Sequence, residues 1–147
     1  MTIGTTAIDG KGFLLPQYTC DGENISPPLT FSELPIEAKS LAMIMDDPDA
    51  PGGVFTHWLL YDMSPGVLQL TENTMPMTGI AGTNGFGNTG YGGACPPSGT
   101  HRYYFTLFAL DRMLELPEGA SRETLDAAME GHILETARVM GRYAKSA

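Results

Sequence analysis

The sequence predicts a mainly β, strand-rich fold, and three observations carry that expectation. Eighteen glycines and 11 prolines among 147 residues punctuate the chain with turns, which argues against a long-helix bundle or coiled coil. Three runs of strand length, Ser40–Met45, Phe55–Met63 and Tyr103–Leu110, are apolar nearly throughout and rich in aromatic and β-branched residues. Helical spacing is confined to one segment near the C-terminus, after Pro117.

In chain order, the first third reads as loop with short strands: Phe13–Leu15 closes at Pro16, Asp21-Gly22 is a turn pair, and Pro27-Pro28 follows Ser26. The three apolar runs are then expected as central strands covered on both faces. Between the second and third lies Gly79–Gly99, where eight of 21 residues are glycine, alongside Pro96 and Pro97. No regular element is expected there, and a loop of that length between strong strands reads as an ordered binding loop. Ser121 is the expected N-cap of an amphipathic helix, with Leu125, Ala128, Met129, His132 and Ile133 at helical spacing and a bend at Gly131. Ala137, Val139, Gly141 and Tyr143 alternate with Arg138, Met140 and Arg142, which is the period of a closing strand.

Length and composition bound the rest. The whole chain, residues 1–147, is expected to form one domain. A net charge of −9 opposes nucleic acid and anionic membrane surfaces. No run approaches the roughly 18 apolar residues of a membrane span and the first 16 residues lack an export-signal core, so the expected location is the cytoplasm. Cys20 and Cys95 are too few for a disulfide framework or a four-ligand zinc site. The sequence leaves open whether they pair once, and a reducing cytosol argues against it.

The chemistry concentrates around the strands. Between Ser40 and Asp111 the single cation is Arg102, against six carboxylates, so this arginine is expected to have an assigned acidic partner. The turn Asp46-Asp47-Pro48-Asp49-Ala50-Pro51-Gly52-Gly53 follows an apolar strand directly, which places carboxylates on a proline-stiffened backbone at a strand end. His57 and His101 sit on or at the edge of strands. Period two puts His101, Tyr103 and Phe105 on one face and Arg102 and Tyr104 on the other. Such a set suits an anion held by imidazole N–H, a tyrosine hydroxyl and glycine-loop amides. Nucleotide-loop motifs in a strand-to-helix context are absent, and no cofactor is expected.

The segments DDPDAPGG (Asp46–Gly53), THWLLYDM (Thr56–Met63), GTNGFGNTGYGG (Gly82–Gly93) and CPPSGTHRYYFTLFALD (Cys95–Asp111) resemble the phosphatidylethanolamine-binding protein family, also called Raf kinase inhibitor proteins. YTCDGENISPPL, AMEGHIL and VMGRY extend the likeness to nearly the whole chain, in the family's short prokaryotic branch. The resemblance implies a β-sandwich with a large central antiparallel sheet, a smaller second sheet, one or two short C-terminal helices and a small anion pocket at one end. The ligand-binding positions it implies are Asp47, His57, Gly93, Pro97, His101 and Tyr103. Asp49, Pro51 and Arg102 are the implied supports, with Asp49 and Arg102 as a largely buried ion pair and the Ala50-Pro51 bond cis. Ala94 departs from the branch's GGPCPP pattern, and the C-terminal helix of the animal proteins is missing.

The expected function is a regulatory or inhibitor-type binding module for a small anion such as phosphate, a phosphoester headgroup or a carboxylate. Beyond that ligand, a regulated protein partner and a homodimer are the partners considered. The alternatives are a hydrolase of small phosphoesters or esters using the Asp, two His and Tyr as acid and base, and a zinc triad of Asp47, His57 and His101. No G-x-S-x-G elbow or HExxH-like spacing favours either.

Overall fold

The computed structural model describes residues 1–146. Its larger sheet orders β6 (Ile80–Ala81), β4 (Phe55–Met63), β3 (Ser40–Asp47), β7 (Thr100–Leu110) and β8 (Ile133–Ala144). The smaller sheet orders β1 (Thr2–Gly4), β2 (Leu29–Ser32) and β5 (Gln69–Leu70). All pairings within both sheets are antiparallel.

Strand alternation divides the core in two. Leu41, Met43 and Met45 of β3, Trp58 and Leu60 of β4, and Tyr103, Phe105 and Leu107 of β7 face the small sheet's Ile3, Leu29, Phe31 and Leu70. Ala42, Ile44, Leu59 and Tyr61 point the other way, onto Leu125 and Met129 of α1 (Arg122–Met129). Burial on both faces explains why β3 and β4 are nearly continuous apolar runs. Each fully buried Leu, Ile or Phe contributes about 1.5–3 kcal/mol. β7 differs from the expectation: towards its start only alternate residues are buried, because nothing caps the outer face at Arg102.

The helix begins as expected, with Ser121 Oγ accepting the Thr124 N–H at 3.1 Å. It ends sooner than its spacing suggests. Gly131 takes φ +82°, and the chain turns there instead of bending within the helix. His132 therefore lies outside the helix, and Ile133 already begins β8, which pairs along the whole of β7. One C-terminal helix results, and a single 3-10 turn, Pro16–Tyr18, lies near the N-terminus. The glycine-rich segment is also more regular than expected: Ile80 and Ala81 pair with β4, and Thr83 bridges Thr89.

Cys20 and Cys95 form a disulfide, the pairing that the sequence left open. A parallel bridge between Thr19 and Ala94 brings the two segments together, and the Cys20 N–H donates to Ala94 O at 3.1 Å. Among the described residues no helix is long and apolar enough to cross a membrane.

Candidate functional site

Three strand ends and the glycine-rich loop meet at one end of the large sheet. β3 delivers Asp47 as its last residue, β4 begins with Phe55 and His57, and β7 begins with His101 and Tyr103. Across the sheet, Met45 pairs with Trp58, yet Asp46 pairs with Thr56, so β4 carries one extra residue between them. That residue is His57. Without the bulge, simple alternation would send its side chain to the helix face with Leu59; the extra residue re-aims it to the face that holds Asp47 and Tyr103. Thr56 meanwhile joins Asp46 on the helix face, where Arg122 Nη1 bonds both, at 3.2 and 3.0 Å.

The re-aimed side chains enclose a cavity of about 150 Å³. Asp47, His57, His101 and Tyr103 supply its polar groups, and Ala50, Pro51, Phe55, Phe86, Cys95, Pro96 and Pro97 complete the wall. This is below the roughly 300–1,000 Å³ of sites for drug-sized ligands, room for a small group only.

Each polar group has a defined state. His101 Nδ1–H donates to Asp47 Oδ2 at 2.7 Å, with His101 7% and Asp47 3% exposed. The other Asp47 oxygen accepts the Asp49 N–H at 2.7 Å, so one carboxylate both shapes the turn and orients the imidazole. His57 Nδ1–H donates to Gly92 O at 2.7 Å, which fixes the neutral tautomer and leaves Nε2 as the free ring nitrogen. Burial pushes the His57 imidazole below its ordinary value, against the pull of the Gly92 carbonyl and the Asp47 charge. Tyr103 is fully buried, and its hydroxyl has no hydrogen-bond partner; among the described residues it is the one buried side-chain N or O atom left so. Burial and the nearby Asp47 charge push its phenol upward, so it stays protonated as a donor.

Phe55, Phe86 and His57 form an aromatic cluster, with the Phe86 ring 4.8 Å from Phe55 and 5.6 Å from His57. Gly92 permits this approach, because a Cβ there would overlap the Phe86 ring. Phe55, Phe86 and Pro96 escape detection from spacing of polar residues. Phe55 was accessible to it, since it opens the same strand as His57, whereas the reach of Phe86 depends on how the loop folds back.

Three expectations are corrected. All peptide bonds among the described residues are trans, including Ala50-Pro51. The reversal comes instead from the Asp47 side chain on Asp49 N–H, a Gly53 N–H to Ala50 O bond of 3.1 Å, and Gly53 at φ +109°. Pro51 lines the cavity directly. Asp49 and Arg102 pair as expected, with Nη2 to Oδ1 at 2.8 Å and Nε to Oδ2 at 2.9 Å, but the pair is not largely buried: the side chains are 29% and 48% exposed. Alternation puts Arg102 on the open face of β7, opposite His101. Gly93 is not among the residues lining the cavity; a Cβ there would overlap the Asn24 carboxamide, and its backbone acts on the His57 imidazole beside the Gly92 carbonyl that accepts from Nδ1.

Among the described residues no three His, Cys, Asp or Glu side chains come together as a group able to hold a metal ion, so Asp47, His57 and His101 do not make a zinc triad. Cys95 is bonded to Cys20 and offers no thiol to the cavity.

Comparison with known proteins agrees with this architecture over the full chain. A UPF0098 protein of Methanothermobacter thermautotrophicus is 49% identical, covering 97% of this chain and 98% of its own length. A phosphatidylethanolamine-binding protein homologue from Chlamydia trachomatis superposes with a TM-score of 0.93 at 42% identity, covering 99% of this chain and 97% of that one. E. coli YbcL, described as a new member of the mammalian PEBP family, gives 0.90 at 28% identity, over 99% of this chain and 98% of that one. Residues 5–144 match the sequence profile for phosphatidylethanolamine-binding protein, and with these relatives and the shared two-sheet fold the chain belongs to that family.

Proposed function

We propose that the cavity binds a small oxyanion, namely phosphate, a phosphoester headgroup or a carboxylate, and that the chain acts as a regulatory binding module. The observation that carries this reading is the Tyr103 hydroxyl, a buried donor with no hydrogen-bond partner among the described residues, at the wall of a cavity that also holds two imidazoles. An unsatisfied buried polar group costs about 1–3 kcal/mol, so a ligand oxygen that accepts from it recovers that cost. The two Nε2 positions complete the set. A ligand anion draws a proton onto Nε2 of His57, and the Asp47 carboxylate holds the His101 ring by its Nδ1–H.

The family's name favours a phosphoester headgroup among the three anions. Against catalysis stands the lining: no serine or threonine faces the cavity, and its one cysteine is oxidised. The Asp47–His101 pair does have the form of a carboxylate-oriented general base, and hydrolysis of a small ester by water is the rival it allows. Chemical-shift titration with phosphate, phosphoethanolamine and acetate, with phosphomonoester turnover followed in parallel, tests both. Saturable shifts at His57, His101 and Tyr103 without product support the binding module; product released only by protein with intact Asp47 and His101 replaces it with the hydrolase.

A further inference from the structure

The disulfide and the cavity share a wall. Cys95 lines the cavity together with the two residues that follow it, Pro96 and Pro97. Upstream, the loop is well tied: Gly92 N–H donates to His57 O at 2.9 Å, Ala94 O accepts from Cys20 N–H, and the Tyr91 hydroxyl donates to Tyr18 O at 2.5 Å. Downstream the ties stop. Among the described residues no hydrogen bond reaches residues 95–99, and Pro96 and Pro97 have no N–H to give. Until β7 takes up the chain at Thr100, the Cys20–Cys95 bond is the one covalent cross-link on this wall, and beside it only the packing of buried Pro96 holds the segment to the body of the protein.

That bond is also open to attack. Cys20 is exposed and Cys95 is half-buried, so Cys20 is the end of the bond on the solvent side, while Cys95 lines the cavity. We propose that the Cys20–Cys95 disulfide is a thiol-exchange site that gates the cavity: the oxidised protein holds the Cys95–Pro97 wall and binds the anion, and reduction releases the wall and weakens binding. This inference rests on the oxyanion reading of the cavity. In the exchange a dithiol reductant's thiolate bonds to Cys20 Sγ and expels Cys95 as a thiolate, which takes a proton. The reductant's second thiolate then attacks the mixed disulfide, forming the reductant's own disulfide and releasing Cys20. Two electrons pass to the protein and the reductant is oxidised. In the cytoplasm expected from the sequence, dithiol reductants of this class are present, so the site would respond to oxidising conditions by tightening.

Preorganisation sets the size of the effect, because a wall that must be ordered on binding subtracts its ordering cost from affinity. The experiment titrates phosphate into the oxidised protein, into protein reduced with dithiothreitol, and into Cys20→Ser, which breaks the bond without altering the cavity lining. Mass spectrometry verifies the redox state, circular dichroism verifies the fold, and backbone order parameters are read from nuclear spin relaxation at Cys95 and Ser98–Thr100. The expected result is phosphate binding about tenfold weaker in both bond-free forms, with lower order parameters at those amides. Equal affinity in folded oxidised and reduced protein overturns the gate while leaving the oxyanion reading intact. If the oxidised protein binds none of phosphate, phosphoethanolamine or acetate, the oxyanion reading fails; the order parameters then decide the gate, which is overturned if Cys95 and Ser98–Thr100 are as ordered without the bond as with it.

Discussion

His101 Nδ1 donates to Asp47 Oδ2 at 2.7 Å across the ends of two adjacent strands, and both side chains are almost fully buried. The bond fixes the ring orientation and leaves Nε2 as the ring nitrogen not engaged by Asp47.

Replacing Asp47 by Asn keeps the side chain's shape and removes its charge. Hydrogen bonds to charged groups are worth about 1.5–3 kcal/mol, so phosphate affinity in Asp47→Asn, and in His101→Ala, is expected to fall by about tenfold or more. Isothermal titration against the parent checks it, and unchanged affinity in both variants removes the pair from the site.

Much of this arrangement was legible before the fold. Strand alternation alone put His101 and Tyr103 on one face and Arg102 on the other; the isolation of Arg102 among carboxylates pointed to an acidic partner, and the family resemblance named it as Asp49. His57 is the instructive exception. Period two from Leu59 sends it to the helix face, and only the extra residue between Trp58 and Thr56, a feature of pairing with β3 and not of local sequence, turns it inward. Arg122 was missed for the same kind of reason: it meets Asp46 from 76 residues away, and nothing local reports that distance. The trans Ala50-Pro51 bond shows the opposite failure, in which a compact reversal was assigned to a proline when the Asp47 carboxylate and Gly53 suffice for it.

The Asp49–Arg102 pair makes an acid-sensitive contribution. Hydrogen bonds from the Arg102 side chain and N–H hold the Asp49 carboxyl down at about 2. Its folded value lies below the unfolded value of about 3.9, so the unfolded chain binds more protons between the two. The stabilisation is therefore fully present above the unfolded value and is lost as the pH falls through about 2. Urea midpoints across this range are expected to fall less steeply in Asp49→Asn than in the parent. At neutral pH the variant loses little, since the pair is partly exposed and screened. Parallel acid limbs in the two proteins contradict the assignment.

His57 gives the opposite region of the pH scale its slope. Because burial depresses the imidazole, the unfolded chain is the more protonated below the ordinary value near 6.5, and folding stability falls as the pH drops below it. Ligand binding runs the other way, since an anion prefers Nε2–H. Sulfate does not titrate in this range, so its affinity is expected to rise as the pH falls from about 8 to about 5.5, by up to tenfold for each unit over which one proton is taken up. A His57→Gln variant should flatten that profile. A parent profile that is already flat excludes proton uptake on binding.

Tyr103→Phe separates ligand binding from folding more sharply than any other single change. The hydroxyl is buried, protonated and unpartnered, so the ligand-free protein bears its desolvation without a compensating bond. Phenylalanine fills the same space except for the oxygen, keeps the ring's place in the core beside Phe105 and Leu107, and leaves no acceptor orphaned. Removing an unsatisfied buried polar group is expected to stabilise the ligand-free protein by about 1 kcal/mol. The same change deletes a donor from the cavity, so phosphate affinity is expected to fall about tenfold. Denaturant unfolding with and without phosphate measures both effects on one protein: the variant should be the more stable alone and should gain less from added phosphate. A variant that is less stable alone shows that the hydroxyl has a partner in the folded protein, and one that gains as much from phosphate as the parent shows that the anion does not reach Tyr103.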